Sequence, residues 1–303
     1  MTNELKEVVR KIDLEFKEYF KDDLSIKTIF VAGSMAKDDY EDRQDNDYDI
    51  RVISDNVTKE QLIKFEKFLT ELSKKLTTNN LAVGYSTLVG PVNHKINSKA
   101  KNILIHALIH QANQMDDFLP ATHKYQYGTR YRIVSGEDSL KRFQQTRFTL
   151  DDLLNIHEGL RYCLDMLRKQ EYRYLSWDLD KEEPEFNFHQ EKMPKETILE
   201  NCFYAHNKFI NNLINYCNWN NYEIPNDKMC FAIRLLGQDY CGQNTLFLLH
   251  SLFLKNEPIL TKLFDNPLKE TIQLLERYET RVQELDFIFP KKESNKVKKL
   301  IKN

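Results

Sequence analysis

A chain of 303 residues is too long for one small module and fits two domains of ordinary size, each able to bury its own core. A hydrophobic content of 41%, with 18 Phe and 15 Tyr, argues against intrinsic disorder, and a formal charge of −2 lacks the basic excess of a dedicated nucleic-acid binder. The longest apolar runs fall far short of the roughly 20 residues that span a bilayer, and the charged N-terminus has no secretory h-region.

In chain order, Leu5, Val8, Val9, Ile12, Phe16, Tyr19 and Phe20 recur at helical spacing and predict an amphipathic helix over 3–20. The run TIFVA, residues 28–32, ends in Gly33-Ser34 and reads as a buried strand followed by a tight turn. A polar loop follows, then a strand over 47–54 (DYDIRVIS), a helix over 59–75, and two further strands over 81–89 and 102–110. In the last of these, Ile103, Ile105, Ala107 and Ile109 form one face, which is expected to be core. Asn102, Leu104, His106, Leu108 and His110 form the other, expected to look toward a cleft.

From about residue 148 the period changes. Helices are predicted over 153–169, 195–216, 227–236, 244–254 and 268–285, while glycine nearly disappears. The five cysteines, all in this half and without a CxxC pair, read as reduced thiols of a cytoplasmic protein. The last 13 residues carry six Lys and one Glu and leave an acidic remainder. The expected organisation is therefore α+β: a mixed sheet flanked by helices over 1–145, an all-helical domain over 146–290, and a basic tail over 291–303.

The segment from Val31 to Val52 (VAGSMAKDDYEDRQDNDYDIRV) carries the chemistry. Residues two apart in a strand face the same side, so Asp47 and Asp49 project together. Two adjacent carboxylates repel unless a cation lies between them, and a divalent ion is the usual answer. Gly33 permits close backbone approach, and Ser34 offers a hydroxyl and an N–H to phosphate oxygens. Asp-x-Asp alone is common; an apolar strand, Gly-Ser, a dozen residues and Asp-x-Asp opening a second strand together read as a site for a nucleoside triphosphate and its metal.

In these residues the chain resembles the polymerase-beta-type nucleotidyltransferase superfamily: a strand, Gly-Ser, a loop, and Asp-x-Asp on the next strand, matched by Gly33, Ser34, Asp47 and Asp49. The resemblance is firm over about 25–56 and looser to 140. It implies transfer of a nucleoside monophosphate from an NTP, with ATP expected, to a hydroxyl, releasing pyrophosphate. Asp47 and Asp49 would hold one or two Mg²⁺ ions. Many members supply a third carboxylate from a later strand, yet between Leu76 and Met115 there is no Asp or Glu at all. His106 could serve as base or ligand instead. Some antibiotic-modifying members draw a carboxylate from the helical domain, and Glu158, beside Gly159 on the first helix there, is the expected general base. Asp151 and Asp152 read as helix-capping acids. Lys37, Tyr127 and Arg130 complete the expected nucleotide-contacting set, by charge and by stacking.

Three function classes remain at this level. A small hydroxylated acceptor, of the aminoglycoside or lincosamide kind and tied to antibiotic resistance, suits an acidic body. A macromolecular acceptor (tRNA or a toxin–antitoxin protein) or a nucleotide second messenger is the alternative. A non-catalytic nucleotide-binding relative is the third. A homodimer fits the small-molecule class, and no membrane partner is expected.

Overall fold

Alternation of buried apolar residues decides the architecture of the first half. The structure is a computed structural model that describes residues 3–36, 45–90, 100–113, 121–145, 148–180, 182–225 and 227–284. Lys37, the rest of the 37–44 loop and the basic tail lie outside the described residues. The chain divides into two compact units, Met1–Thr146 with Tyr174–His189, and Arg147–Arg173 with the chain from Gln190.

The first unit runs α1 (Asn3–Tyr19), β1 (Ile26–Ala32), a 3-10 turn (Gly33–Ala36), β2 (Asp45–Ser54), α2 (Lys59–Leu76), β3 (Leu81–Ser86), β4 (Lys101–Gln111), α3 (Ala121–Thr129) and β5 (Tyr131–Gly136). Its five strands lie in the order β3-β4-β2-β1-β5. β2 pairs parallel with β4, and β4 parallel with β3, whereas β1 is antiparallel to both β2 and β5. This is the mixed sheet the sequence implied. Helix α2 begins where the Thr58 side chain accepts from the Gln61 N–H and buries Leu62, Phe65, Leu69, Leu72 and Leu76, a stripe at three- and four-residue steps. That stripe, with Leu5, Val8, Ile12 and Phe16 of α1, packs on Val31, Tyr48, Ile50, Val52, Ile103, Ile105, Ala107 and Ile109 of the sheet. A smaller cluster on the other side joins Phe30, Ala32, Ile53, Tyr127, Leu140 and Phe143.

The second unit is built on α4 (Leu150–Lys169), α5 (Ile198–Trp219), α6 (Lys228–Leu236), α7 (Gln243–Leu254), α8 (Glu257–Leu263) and α9 (Pro267–Glu284). The Asp152 carboxylate accepts from the Thr149 backbone N–H at 2.7 Å, so that acid does cap α4. Arg161 and Arg168 of α4 each meet a glutamate of α9, Glu279 and Glu276, at 2.8 Å. Cys163, Cys202 and Cys217 are free and buried in this unit, where burial pushes all three thiols up, Cys163 to about 11 and the other two to about 12. No described helix is long and apolar enough to cross a membrane.

Several boundaries differ from the expectation. The helix expected over 153–169 starts three residues earlier, at Leu150, and ends at Lys169, where Gln170 takes a left-handed conformation (φ 52°) and caps it. The chain then forms a hairpin of β6 (Glu171–Asp178) and β7 (Glu185–Lys192), so the second half is not helical throughout. Helix α3 (Ala121–Thr129) and strand β5 (Tyr131–Gly136) are not among the expected elements. The face of β4 that carries His106 and His110 is buried as well as its apolar face.

Candidate active site

The site begins where β1 ends. Ala32 pairs with Asp49 across the sheet, so the chain that turns at Gly33 passes directly beside that carboxylate. Gly33 has a φ of +74°, and a Cβ built there would lie 2.7 Å from Asp49 Oδ2. Only glycine meets both conditions without strain. The close approach that the sequence suggested is thus an approach to the Asp49 side chain. Ser34, the next residue, is exposed, and its carbonyl accepts from Arg130 Nη2 at 3.3 Å.

On β2, buried Tyr48 and Ile50 face the apolar core, and alternation therefore turns Asp47, Asp49 and Arg51 to the opposite side. The parallel register sets Asp49 opposite His106 of β4. Asp49 Oδ1 accepts from Arg51 Nη2 at 3.0 Å and lies 2.9 Å from His106 Nδ1. The Arg51 side chain is 6% exposed and that of Asp49 25%. Arg51 Nη1 also donates to the carbonyls of His106 (2.7 Å) and Ile50 (3.0 Å), so one guanidinium bridges the two central strands. Burial by itself would raise the Asp49 pKa; the His106 contact and the Arg51 charge reverse that and hold it at about 2. Burial also opposes the Arg51 charge, and the facing Tyr127, Asp49 and Asp47 outweigh it. Further along β4, His110 is pushed down to about 3 by burial and by the Arg51 and His106 charges, so it stays neutral.

On the core side, the Tyr48 hydroxyl donates to Asp13 of α1, which also accepts from Arg132 Nη1 of β5 at 2.8 Å. This brace fixes the pleat of β2 between the two aspartates. Neither it nor Arg51 stands out in the sequence. A signal for Arg51 is present there: it is two residues beyond Asp49, on the same side of the alternation.

One donor atom each from Asp47, Asp49 and His106 lies within 4.8 Å of the others. Two carboxylates and an imidazole in that space fit a divalent cation. Of the other expected residues, Arg130 comes to Ser34, as described. Tyr127 is buried, with its ring edge-to-face on Phe30 at 5.5 Å. Glu158 is exposed on α4 of the second unit.

The pattern of the family described as "nucleotidyltransferase domain" matches residues 10–110. No curated protein sequence matches the chain. Among solved structures, the spectinomycin adenyltransferase of Enterococcus faecialis, determined with ATP and spectinomycin, is similar over 92% of this chain and 99% of its own. The TM-score is 0.51 and the sequence identity 10%, a likeness of fold.

Proposed function

We propose that the chain, whose residues 10–110 match a nucleotidyltransferase domain, is a nucleotidyltransferase of the polymerase-beta type that moves a nucleoside monophosphate from an NTP to a hydroxyl of a small molecule and releases pyrophosphate. The observation that carries this reading is the pair Asp47 and Asp49 on one side of β2, with the Gly33 turn against Asp49 Oδ2.

Asp47 and Asp49 are the residues that would hold Mg²⁺, which when bound neutralises charge on the triphosphate and polarises the reacting phosphoryl group. Asp49, held at about 2, is a carboxylate at every working pH and so needs no deprotonation to bind a cation. Arg51 and His106 fix its Oδ1 from one side and leave Oδ2 toward the Gly33 turn. Ser34, exposed at the turn, would offer its hydroxyl and N–H to phosphate oxygens, and Arg130, bonded to the Ser34 carbonyl, would add a guanidinium. His106 has both ring nitrogens engaged, one at Asp49 and one at the Leu88 carbonyl, so the role of general base falls to another group. Glu158 is our candidate for it; it would take the proton of the acceptor hydroxyl.

A small acceptor and ATP are supported by the fold neighbour, which was determined with ATP and an antibiotic. The test is incorporation of label from α-labelled ATP, GTP, CTP and UTP, with Mg²⁺, into a panel of aminoglycosides and lincosamides and separately into tRNA and protein. Label in the small-molecule fraction is expected, with ATP the best donor. Label in the tRNA or protein fraction alone would transfer the reading to a macromolecular acceptor. Nucleotide binding without incorporation anywhere would make the chain a non-catalytic relative.

A further inference from the structure

The third donor of this site is a nitrogen. Residues 77–114 contain no Asp or Glu, so neither β3 nor β4 brings a further carboxylate to Asp47 and Asp49. What β4 brings is His106, and its ring is held in a definite way. Nε2 lies 2.5 Å from the Leu88 carbonyl oxygen, a group that only accepts, so Nε2 carries a proton. The other ring nitrogen, Nδ1, then faces Asp49 Oδ1, 2.9 Å away. A ring N–H anchored on a backbone carbonyl, with the other nitrogen turned to carboxylates, is the usual outer-sphere support of a metal-bound histidine. At that distance a cation belongs between the two atoms, either a proton on Nδ1 that is donated to Asp49 or a metal ion that replaces it. The separation also matches that of neighbouring ligands in an octahedral shell, about 3 Å for bonds of about 2.1 Å.

The surroundings keep the ring from turning away. The His106 side chain is 10% exposed on a central strand, and its own carbonyl accepts from Arg51 Nη1. Arg51 supplies a second reason. Its charge offsets one of the two carboxylates, so a hard ion held by charge alone finds a weaker site than the aspartates suggest. An ion that bonds well to imidazole nitrogen recovers the difference.

We infer that His106 Nδ1 is a direct ligand, completing an Asp47–Asp49–His106 set that favours a divalent ion of the first transition series, such as Mn²⁺ or Co²⁺, over Mg²⁺. This rests on the metal role proposed above for the two aspartates. It makes the site differ in ligand chemistry from one built on three carboxylates.

The test is pulsed electron paramagnetic resonance of the full chain loaded with Mn²⁺ and α,β-methylene-ATP. Protein labelled with ¹⁵N only at histidine separates an imidazole ligand from an adenine nitrogen. The expected result is a directly bound histidine nitrogen on Mn²⁺, lost in His106→Asn, with Mn²⁺ affinity lower by about tenfold or more and Mg²⁺ affinity nearly unchanged. Bound Mn²⁺ without histidine coupling in the unmodified chain overturns the inference and leaves the nucleotidyl-transfer reading standing. Nucleotide binding with no Mn²⁺ or Mg²⁺ bound overturns both. The measurement on the unmodified chain decides the matter even if the variant fails to fold.

Discussion

The two faces of one strand pair, β2 and β4, have opposite characters. One face presents Tyr48, Ile50, Val52, Ile103, Ile105, Ala107 and Ile109 to the helices α1 and α2. The other presents Asp47, Asp49 and Arg51 from β2 and Asn102, His106 and His110 from β4, mostly buried too. The first face stabilises the fold by removing apolar surface from water, at about 25 cal/mol per Å². The second takes charges out of water and recovers the cost only through its hydrogen bonds and the Asp49–Arg51 pair, so it contributes little to stability on its own account. The lesson is a division of labour across one sheet. The apolar face sets the position of the backbone, and the backbone holds charged groups in an arrangement that water would otherwise disperse.

If that division is real, substitutions on the two faces should separate activity from stability. The largest effect is expected from Asp49→Asn, which keeps the shape and the acceptor for Arg51 but removes the charge. Transfer per folded molecule should fall on the order of 10³-fold, matching the several kcal/mol expected of a metal's charge stabilisation, and the melting temperature should fall as well, because the buried Arg51 loses its counter-charge. Steady-state kinetics beside a thermal melt reads both numbers. On the other face, Ile105→Ala should cost about 2–5 kcal/mol of stability by leaving a cavity, with activity per folded molecule nearly intact. Urea unfolding measures the first and an active-fraction assay the second; a large loss of activity in the folded fraction would break the separation.

Gly33→Ala sits where the faces meet. Its φ of +74° would cost about 1–2 kcal/mol, and its Cβ would push on Asp49 Oδ2. A weaker metal affinity together with a modest loss of stability is the expected combination, read by Mg²⁺ titration and by melting. An effect on stability alone would mean that Asp49 moves aside freely.

The smallest effect at neutral pH concerns His206 in the second unit, buried against Tyr278 and Phe253 and held down at about 3 by burial. The unfolded chain takes up a proton at this histidine below about 6.5, whereas the folded one does not until about 3. The neutral ring's contribution is therefore whole above about 6.5 and is lost as pH falls toward 3. In His206→Gln the decline of stability over that window should be shallower. Unfolding curves at several pH values give the slope, and an unchanged slope would place the acid sensitivity in other groups such as His110.

Much of this arrangement is legible in the amino-acid sequence. Period-two alternation in DYDIRVIS and NILIHALIH separates the faces, and Gly33, Ser34, Asp47 and Asp49 mark the proposed site, because strand geometry leaves such residues few places to go. Arg51 is legible only in part: the alternation puts it on the side of Asp49 but does not show that it is buried there. A lone arginine in a strand ordinarily reads as solvent-facing, and only the burial of both sides of β2 turns it inward. The β6–β7 hairpin is hidden for a different reason. No glycine or proline interrupts LRKQEYR, and a left-handed Gln170 ends the helix where helical periodicity continues. The Asp13–Tyr48–Arg132 brace joins residues far apart in the chain, and long-range polar contacts leave no local pattern.

The most direct test of the central claim, that the polar face of β2 and β4 is a nucleotidyl-transfer site, is pyrophosphate release from ATP in the presence of a divalent ion and a hydroxylated small-molecule panel. It should be measured for the unmodified chain and for Asp47→Asn with Asp49→Asn together. The account predicts release that requires the ion, is matched mole for mole by labelled acceptor, and vanishes in the double variant. Release that persists undiminished in the double variant, or that proceeds equally without a divalent ion, would contradict it.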